Sequence, residues 1–509
     1  MKKVTENQTV PRQGMRGLIL CFAPEIIQAL AQVARRRSID VYLVGGTVRD
    51  WLLGRRPGDL DLTVATDAEA FCRELICELG GGTLVPLGTN DEEAARVVWH
   101  GQDIDISSYR GSALTLDEDL RLRDFTINSL AVPLGSLVDE SEDPMLIDPM
   151  NGTSDLASGL LRHCPRAFAG DPLRMVRAFR FMATLGFLPV EATLTAIGDS
   201  ASAITRVAPE RVQYELDRIM QTDSAASVLW KMHQYGLLPH ILPELYEGEG
   251  VEQPSFHHLD VFCHNFQALR EMETLLAAPE KYFGKEGEMG EIPEYVANIR
   301  VKVGLKWAAL LHDVGKPAAK GTSAAQNGRI TFHGHDEIGR RQVECLARRL
   351  RWSNNERERV AHLVGMHMHP FHLCNVQREQ PLTVRAALKL CRRAGDELPG
   401  LFLLAMADSL AGNGDLKPEN MEQELADLYR AVMKIQREHI GPALSGSPLV
   451  NGRDLIDLYK LTPGPIFSLI LDELLVLQVE GTITTRDAAL VWIDRYLQEN
   501  SQGRKEAKR

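Results

Sequence analysis

The chain has 509 residues, more than one hydrophobic core can fill, so two to four domains are expected. Hydrophobic residues make up 44% and charged residues 25%, the ordinary proportions of soluble globular domains, and the 6% of aromatics points to helices packed through Leu, Ala and Met. A net charge of −12 excludes a global positive field, so any contact with nucleic acid must come from local basic patches.

The eight cysteines include no CxxC pair, which argues against a zinc ribbon or a disulfide framework and fits a reducing cytoplasm. The early apolar run Leu18 to Ala23 stops at Pro24, and no stretch approaches the ~20 apolar residues of a membrane span. A cytoplasmic protein with no membrane partner is expected.

Residues 24–36 carry Ile26, Ile27, Leu30 and Val33 at helical spacing. Val41 to Val44 reads as a short buried strand ended by Gly45-Gly46. A helix over Val48 to Leu53, closed by Gly54, leads to a second strand, Leu60 to Val64. Val97 to Trp99 and Ile104 to Ser107 read as two more strands, turning at Gly101. From about residue 155 onward, helical periodicity dominates. Two composition breaks interrupt it: Ala277 to Glu291, expected to be an exposed loop, and Gly441 to Gly452, expected to be a linker. The fold class is α+β: a small mixed α/β head over 20–150, then helical segments over 151–250, 255–415 and 420–500.

The most informative stretch is LVGGTVRDWLLGRRPGDLDLTVAT, residues 43–66. Asp59 and Asp61 are two apart on a predicted strand, so their side chains point to one face. Two carboxylates forced together repel unless a cation lies between them, and hard oxygen ligands suit Mg²⁺ together with substrate phosphates. Gly45 and Gly46 let backbone approach phosphate at a helix N-terminus. Asp105, in Ile104-Asp105-Ile106, offers a third carboxylate, and such a set can hold two metals.

This stretch resembles the signature of the class II tRNA nucleotidyltransferase and bacterial poly(A) polymerase family, a branch of the DNA polymerase β-type nucleotidyltransferases. The resemblance continues in order. Asp119-Leu120 and Arg123-Asp124-Phe125-Thr126-Ile127-Asn128 resemble the ribose-recognition motif, and Asp148-Pro149 with Gly152 and Asp155 the connecting motif. Asp171-Pro172-Leu173-Arg174, running into Arg177 and Arg180-Phe181, is similar to the base-recognition helix, and Glu210-Arg211 with Glu215-Leu216 to the neck. The resemblance implies a nucleotidyltransferase head, a helical neck, an HD-type body and a helical tail. It implies nucleotide contacts at Gly45, Gly46, Arg49, Arg123, Asp124, Asn128, Asp171, Arg174, Arg177 and Arg180, with CTP, ATP and tRNA as partners. Gly170 stands where the family usually has Glu, and Leu122 where it often has Arg.

Asp171 and Arg174, three apart, share a face if both are helical. A carboxylate only accepts hydrogen bonds and a guanidinium only donates them. Cytosine and adenine, each with an amino group beside a ring acceptor, satisfy both. Uracil opposes its O4 to the carboxylate, at a cost on the order of 1–3 kcal/mol. An ordinary surface ion pair is the competing reading.

A dispersed His/Asp series follows. His264, His312-Asp313 and Asp408 resemble the ligand order of HD-type phosphohydrolases, and His335 and His367 would complete a second metal. Imidazole with carboxylate suits Mn, Fe, Ni or Zn. The alternative is that the histidines are core residues of a helical scaffold. The arginine-rich run 340–359 reads as a solvated helix face or as a surface for tRNA phosphates. Leu449 to Leu455 and Pro463-Gly464-Pro465 resemble the family's tail segment.

Template-independent addition of C and/or A to the tRNA 3′ end is the expected activity. The rivals are a poly(A) polymerase, an HD phosphohydrolase with a nucleotide-sensing head, and a non-catalytic RNA-binding protein. Only eight residues, Gly111 to Glu118, separate Arg110 from Asp119. Family enzymes that build the whole CCA end resemble one another in a longer segment here, a lever that readjusts the base pocket, so the short segment implies a bias to CC addition with a partner enzyme supplying the final adenosine. The alternative is that the loop is merely short and another segment moves.

Overall fold

A computed structural model describes residues 15–87, 93–139, 144–254, 256, 258–285, 287–323, 329–445 and 448–506. The chain divides into two units between Ile241 and Leu242. His257, the first residue of the HHLDVFCHNF stretch, lies outside the described residues.

In the first unit the order is α1 (Pro24–Arg37), β1 (Val41–Val44), α2 (Gly45–Leu52), β2 (Leu60–Val64), α3 (Ala68–Glu78), β3 (Thr83–Pro86), β4 (Ala94–Trp99), β5 (Gln102–Ser108), α4 (Leu116–Arg121) and β6 (Ala131–Pro133). The six strands form one sheet in the order β3-β4-β5-β2-β1-β6. Only β2 and β5 run parallel, because α3, β3 and β4 intervene as a crossover. Ile104 and Ile106 of β5 and Leu60 and Leu62 of β2 are buried in a core shared with Leu30 and Val33 of α1 and Phe71 and Leu75 of α3. Strand alternation puts Asp61, Asp103 and Asp105 on the opposite face. The β4–β5 hairpin turns at His100 and Gly101, both at positive φ, as a two-residue turn of this kind requires.

The rest of the first unit is mainly helical, with principal helices Leu173–Leu185, Pro209–Met220 and Ala225–Gln234. The second unit is built on helices Val261–Ala277, Ile299–Leu311, His335–Arg349, Asn354–Met366 and Leu398–Ala411. Helix Leu398–Ala411 is buried almost all round, which is why its sequence, LPGLFLLAMADSLA, lacks a polar stripe. A separate cluster of Leu455, Ile470, Leu474 and Ile493 forms the C-terminal core.

The structure departs from the expectations in four places. Gly45 and Gly46 are the first residues of α2 rather than a turn before it, so the helix starts three residues earlier than Val48. Asp59 precedes β2 rather than lying in it. The stretch Ala277 to Glu291, expected to be an exposed loop, carries helix Glu280–Phe283 and is anchored by buried Phe283 and Met289; Phe283 packs edge-on against Tyr429 with ring centroids 5.4 Å apart. The expected linker Gly441 to Gly452 contains helix Gly441–Ser445 and the start of Gly452–Asp457, with residues 446–447 outside the described part.

Candidate active sites

The first site lies on the polar face of the head sheet. Thr47, in the first turn of α2, fastens that turn to β2. Its hydroxyl donates to the Asp59 carbonyl at 3.0 Å and accepts from the Asp61 amide at 2.6 Å, and its amide donates to Asp61 Oδ2 at 3.2 Å. A Cβ on Gly46 would lie 2.7 Å from Asp61 Oδ2, and Gly45 sits at φ +60° with Arg123 Nη1 3.3 Å from its would-be Cβ. Glycine is needed at both positions because a carboxylate and a guanidinium close over the helix start.

Asp61 and Asp105 are directly opposite in the parallel β2–β5 pair. Burial pushes the Asp61 carboxyl up to about 6, and the Asp105 charge adds to the shift against the pull of Arg123. Burial raises Asp59 as well, with Asp105 and Asp103 adding and Arg96 opposing. Negative charge gathered at this cost is what a divalent cation relieves, so the residues fit such an ion. Asp105 is already held: Arg96 Nε and Nη2 donate to its two oxygens at 2.7 and 2.8 Å.

The nucleotide-contact candidates form one network. Arg49 donates to Asn128 Oδ1 at 2.8 Å and to Asp50 Oδ1 at 2.8 Å. Asn128 donates to Asp124 Oδ1 at 2.9 Å, and Arg177 to Asp124 Oδ2 at 2.8 and 3.1 Å. Burial alone would raise Asp124, but Arg177 and Arg174 hold its carboxyl well below the usual range. Glu215 binds Arg177 at 3.3 Å and Arg180 at 2.5 Å, and burial pushes Arg180 down to about 10. The Phe181 ring carries the guanidinium carbons of Arg180, Arg49 and Arg177 at 4.0, 5.1 and 5.5 Å from its centroid. Arg123 ties to Asp119 at 3.1 Å.

Asp171 and Arg174 do not act as a face-sharing pair here. Asp171 is extended and lies ahead of helix Leu173–Leu185, accepting from the Leu173 amide at 3.1 Å and pairing with Arg211 at 2.7 Å. Arg174 turns its Nη1 to the carbonyls of Leu122 at 2.8 Å and Ala167 at 3.4 Å. Pro172 disfavours a helical conformation at Asp171, which therefore stands extended at the helix start, its carbonyl accepting from the Arg174 amide at 3.1 Å.

The second site lies in the second unit. His264, His312 and Asp313 form one group of converging ligand atoms, and Asp313, His335 and His367 form another. His312, His335 and His367 each hold Nδ1 against the carbonyl three residues back (Ala309, Phe332 and Val364) at 2.7–2.9 Å. A carbonyl only accepts, so Nδ1 carries the proton and Nε2 faces inward. Nε2 atoms then meet at 3.2 Å in the His264–His312 pair and again in the His335–His367 pair. Asp408 Oδ1 lies 3.0 Å from His264 Nε2, and Asp313 reaches His312 at 3.2 Å and His335 at 3.4 Å. Burial lowers His264 and His367, while His312, against the same burial, is raised to about 10 by Asp313 and Asp408. Nitrogen and carboxylate ligand atoms converging on Asp313, which belongs to both groups, fit a pair of metal ions, whose binding would displace the second proton of His312. Beside them opens a cavity of about 560 Å³, lined in part by Lys316, Arg329, Phe256, Arg378 and Lys417.

The arginine-rich run is largely paired. Arg340 meets Glu337 and Glu344, Arg348 meets Glu344, Arg349 meets Glu244 and Arg359 meets Glu397. Thr47 and Arg96 were missed at the sequence level. Thr47 sits inside the motif without a charge to mark it, and the Arg96 pairing is visible only in strand register.

A six-stranded head with clustered carboxylates and a helical body define a nucleotidyltransferase of the polymerase β type. Residues 41–162 match the Poly A polymerase head domain, 186–247 the probable RNA and SrmB-binding site of polymerase A, and 294–411 the HD domain. The chain is 32% identical over 465 residues to the A-adding tRNA nucleotidyltransferase of Deinococcus radiodurans, covering 90% of this chain and 95% of the relative. It is 31% identical over 464 residues to the CC-adding tRNA nucleotidyltransferase of Thermus thermophilus, covering 89% and 93%. Among solved structures, the Thermotoga maritima CCA-adding enzyme complexed with tRNA shares the fold at TM-score 0.59 and 20% identity, over 94% of this chain and 97% of that one. The chain belongs to the tRNA nucleotidyltransferase family. Its head and HD domains imply divalent-metal chemistry. Among the described residues, no helix is long and apolar enough to cross a membrane.

Proposed function

We propose that this chain extends the tRNA 3′ end with nucleotides taken from CTP, stopping after two cytidines, in the cytoplasm. The observation that carries the stop is the closure of segment 111–118. Arg110 donates to Asp119 Oδ1 at 3.0 Å from both its amide and Nη1, pinning the two ends together. Within it, Thr115 and Glu118 form a capping box that starts α4. A pinned, capped segment has no slack with which to recentre a pocket from a pyrimidine to a purine. The Deinococcus relative is named for A addition and the Thermus relative for CC addition, so similarity alone does not choose.

Asp59 and Asp61 hold Mg²⁺ in this reading. Bound there, the metal lowers the cost of deprotonating the 3′ hydroxyl and neutralises the triphosphate. The hydroxyl oxygen attacks the α-phosphorus and pyrophosphate leaves. Gly45 and Gly46 keep room for phosphate over α2, Arg123 adds positive charge there, and Asp124, Asn128, Arg177 and Arg180 line the nucleotide's place. Asp171 and Arg174 read the base once Arg174 leaves its carbonyl partners.

The test supplies CTP and ATP together to tRNA lacking CCA. A product ending in CC, absent with Asp59→Asn/Asp61→Asn, is expected. A product ending in CCA removes the stop, and extension by the double variant removes the site.

The inward Nε2 atoms around Asp313 favour a second reading for the second unit. His264, His312, Asp313, His335, His367 and Asp408 hold transition-metal ions (Mn, Ni, Fe or Zn) and hydrolyse a phosphoester.

A further inference from the structure

Arg96 stands on β4 directly opposite Asp105 of β5, and Asp105 stands directly opposite Asp61 of β2. Three adjacent strands thus set Asp61, Asp105 and Arg96 in one row across the polar face. The guanidinium takes both oxygens of Asp105 at 2.7 and 2.8 Å and reaches Asp103 Oδ2 at 2.7 Å with Nη1. Two parallel N–H···O bonds from one planar fork make the most specific ion pair that side chains form.

A metal ion and this fork compete for the same oxygens. If Asp105 turned to a cation at Asp61, it would give up both bonds and bring a guanidinium toward a divalent ion. We propose that Arg96 is a positioning residue that withholds Asp105 from the metal. The head then binds its ions through Asp59 and Asp61 and keeps Asp105 and Asp103 as a neutralised wall beside them. Four carboxylates share this face with Arg96 as the cation that bonds two of them, so Arg96 also sets how tightly a divalent ion is held. The inference rests on the reading of Asp59 and Asp61 as the metal holders.

The test is direct Mn²⁺ binding to the full chain, followed by the loss of the free-ion resonance signal. The Asp59→Asn/Asp61→Asn chain reports Mn²⁺ bound elsewhere, including in the second unit, and is subtracted. Asp105→Asn is expected to keep the wild-type head affinity. Arg96→Gln is expected to tighten it on the order of tenfold, because Asp105 becomes free to ligate and a further carboxylate ligand raises affinity for a hard divalent ion. Arg96→Gln/Asp105→Asn returns it to the wild-type value, a reversal that a merely structural role for Arg96 does not produce. Should Arg96→Gln fail to fold, Arg96→Lys, which keeps a charge but cannot span both carboxylates, is expected to give an intermediate tightening. Loss of head binding in Asp105→Asn comparable to that in Asp61→Asn overturns the proposal, as does unchanged affinity on removing the fork. If Asp59→Asn/Asp61→Asn binds as much Mn²⁺ as wild type, the underlying reading fails with it.

Discussion

Asp124 is 7% exposed, yet it is surrounded by two arginines and an asparagine that all donate or project positive charge toward it. Removing one partner of such a buried set leaves the others uncompensated, which costs about 3–5 kcal/mol. Asp124→Asn is therefore expected to lower unfolding stability by that order at pH 7. The folded-state carboxyl lies well below its usual value, so its contribution is fully present above about pH 4 and is lost as pH falls through the folded value. Denaturant titrations of both chains at pH 7 and pH 3.5 check this. A gap that is small at pH 7, or that widens in acid, refutes the assignment. At this scale the sequence shows which residues are charged but not whom they face. Asp124 and Arg177 are 53 positions apart and meet through the fold. Asp171 and Arg174, three positions apart, read as one helical face, but Asp171 is extended and only Arg174 lies in the helix.

The coupling of α2 to β2 is the element on which head chemistry depends. Thr47 makes three hydrogen bonds to the Asp59–Asp61 backbone and carboxylate, and Gly46 leaves space for Asp61 Oδ2. A methyl group at Gly46 would meet that oxygen at 2.7 Å, which the carboxylate can relieve only by moving. Gly46→Ala is expected to fold, since alanine suits a helix start. It is expected to lose on the order of 100-fold in turnover, the consequence of a displacement near 1 Å at the reacting centre. Steady-state kinetics with CTP and tRNA, alongside a thermal melt, separate the two effects; wild-type turnover in a folded variant contradicts the account. The strongly periodic elements, α1, β1, β2 and the β4–β5 hairpin, were legible in the sequence within a few residues. The three-residue β6 was not, because so short a strand shows no period, and its place depends on pairing with β1. Helix Glu280–Phe283 was hidden in a Gly, Glu and Lys-rich stretch whose two anchors, Phe283 and Met289, are buried by partners distant in sequence.

For the whole molecule, charge and metal content decide what the two units do. The arginines of 340–359 are largely held by glutamates, some a helical turn away and some distant in sequence, so the run reads as a solvated helix face and the net charge of −12 is not offset there. The six metal-ligand candidates of the second unit were legible in order, but only the fold shows that three imidazoles are locked by backbone carbonyls with Nε2 inward. The site rigidly gathers ligands from sequence positions 264 to 408 and should bind metal only when folded. At a free metal concentration 100 times the dissociation constant, such linkage stabilises the unit by about 2.7 kcal/mol. For a unit of this size that corresponds to about 5–10 °C in its midpoint. The chain divides into two compact units, so calorimetry is expected to resolve two transitions, with a chelator lowering only the one assigned to the second unit. His312→Ala is expected to abolish that shift, to strip the transition metal found by elemental analysis, and to remove hydrolysis of bis(p-nitrophenyl) phosphate while CTP addition to tRNA persists. A chelator-insensitive melt in a chain free of transition metal would leave the HD histidines as a scaffold, whereas metal retained without hydrolysis would make the site a structural clasp.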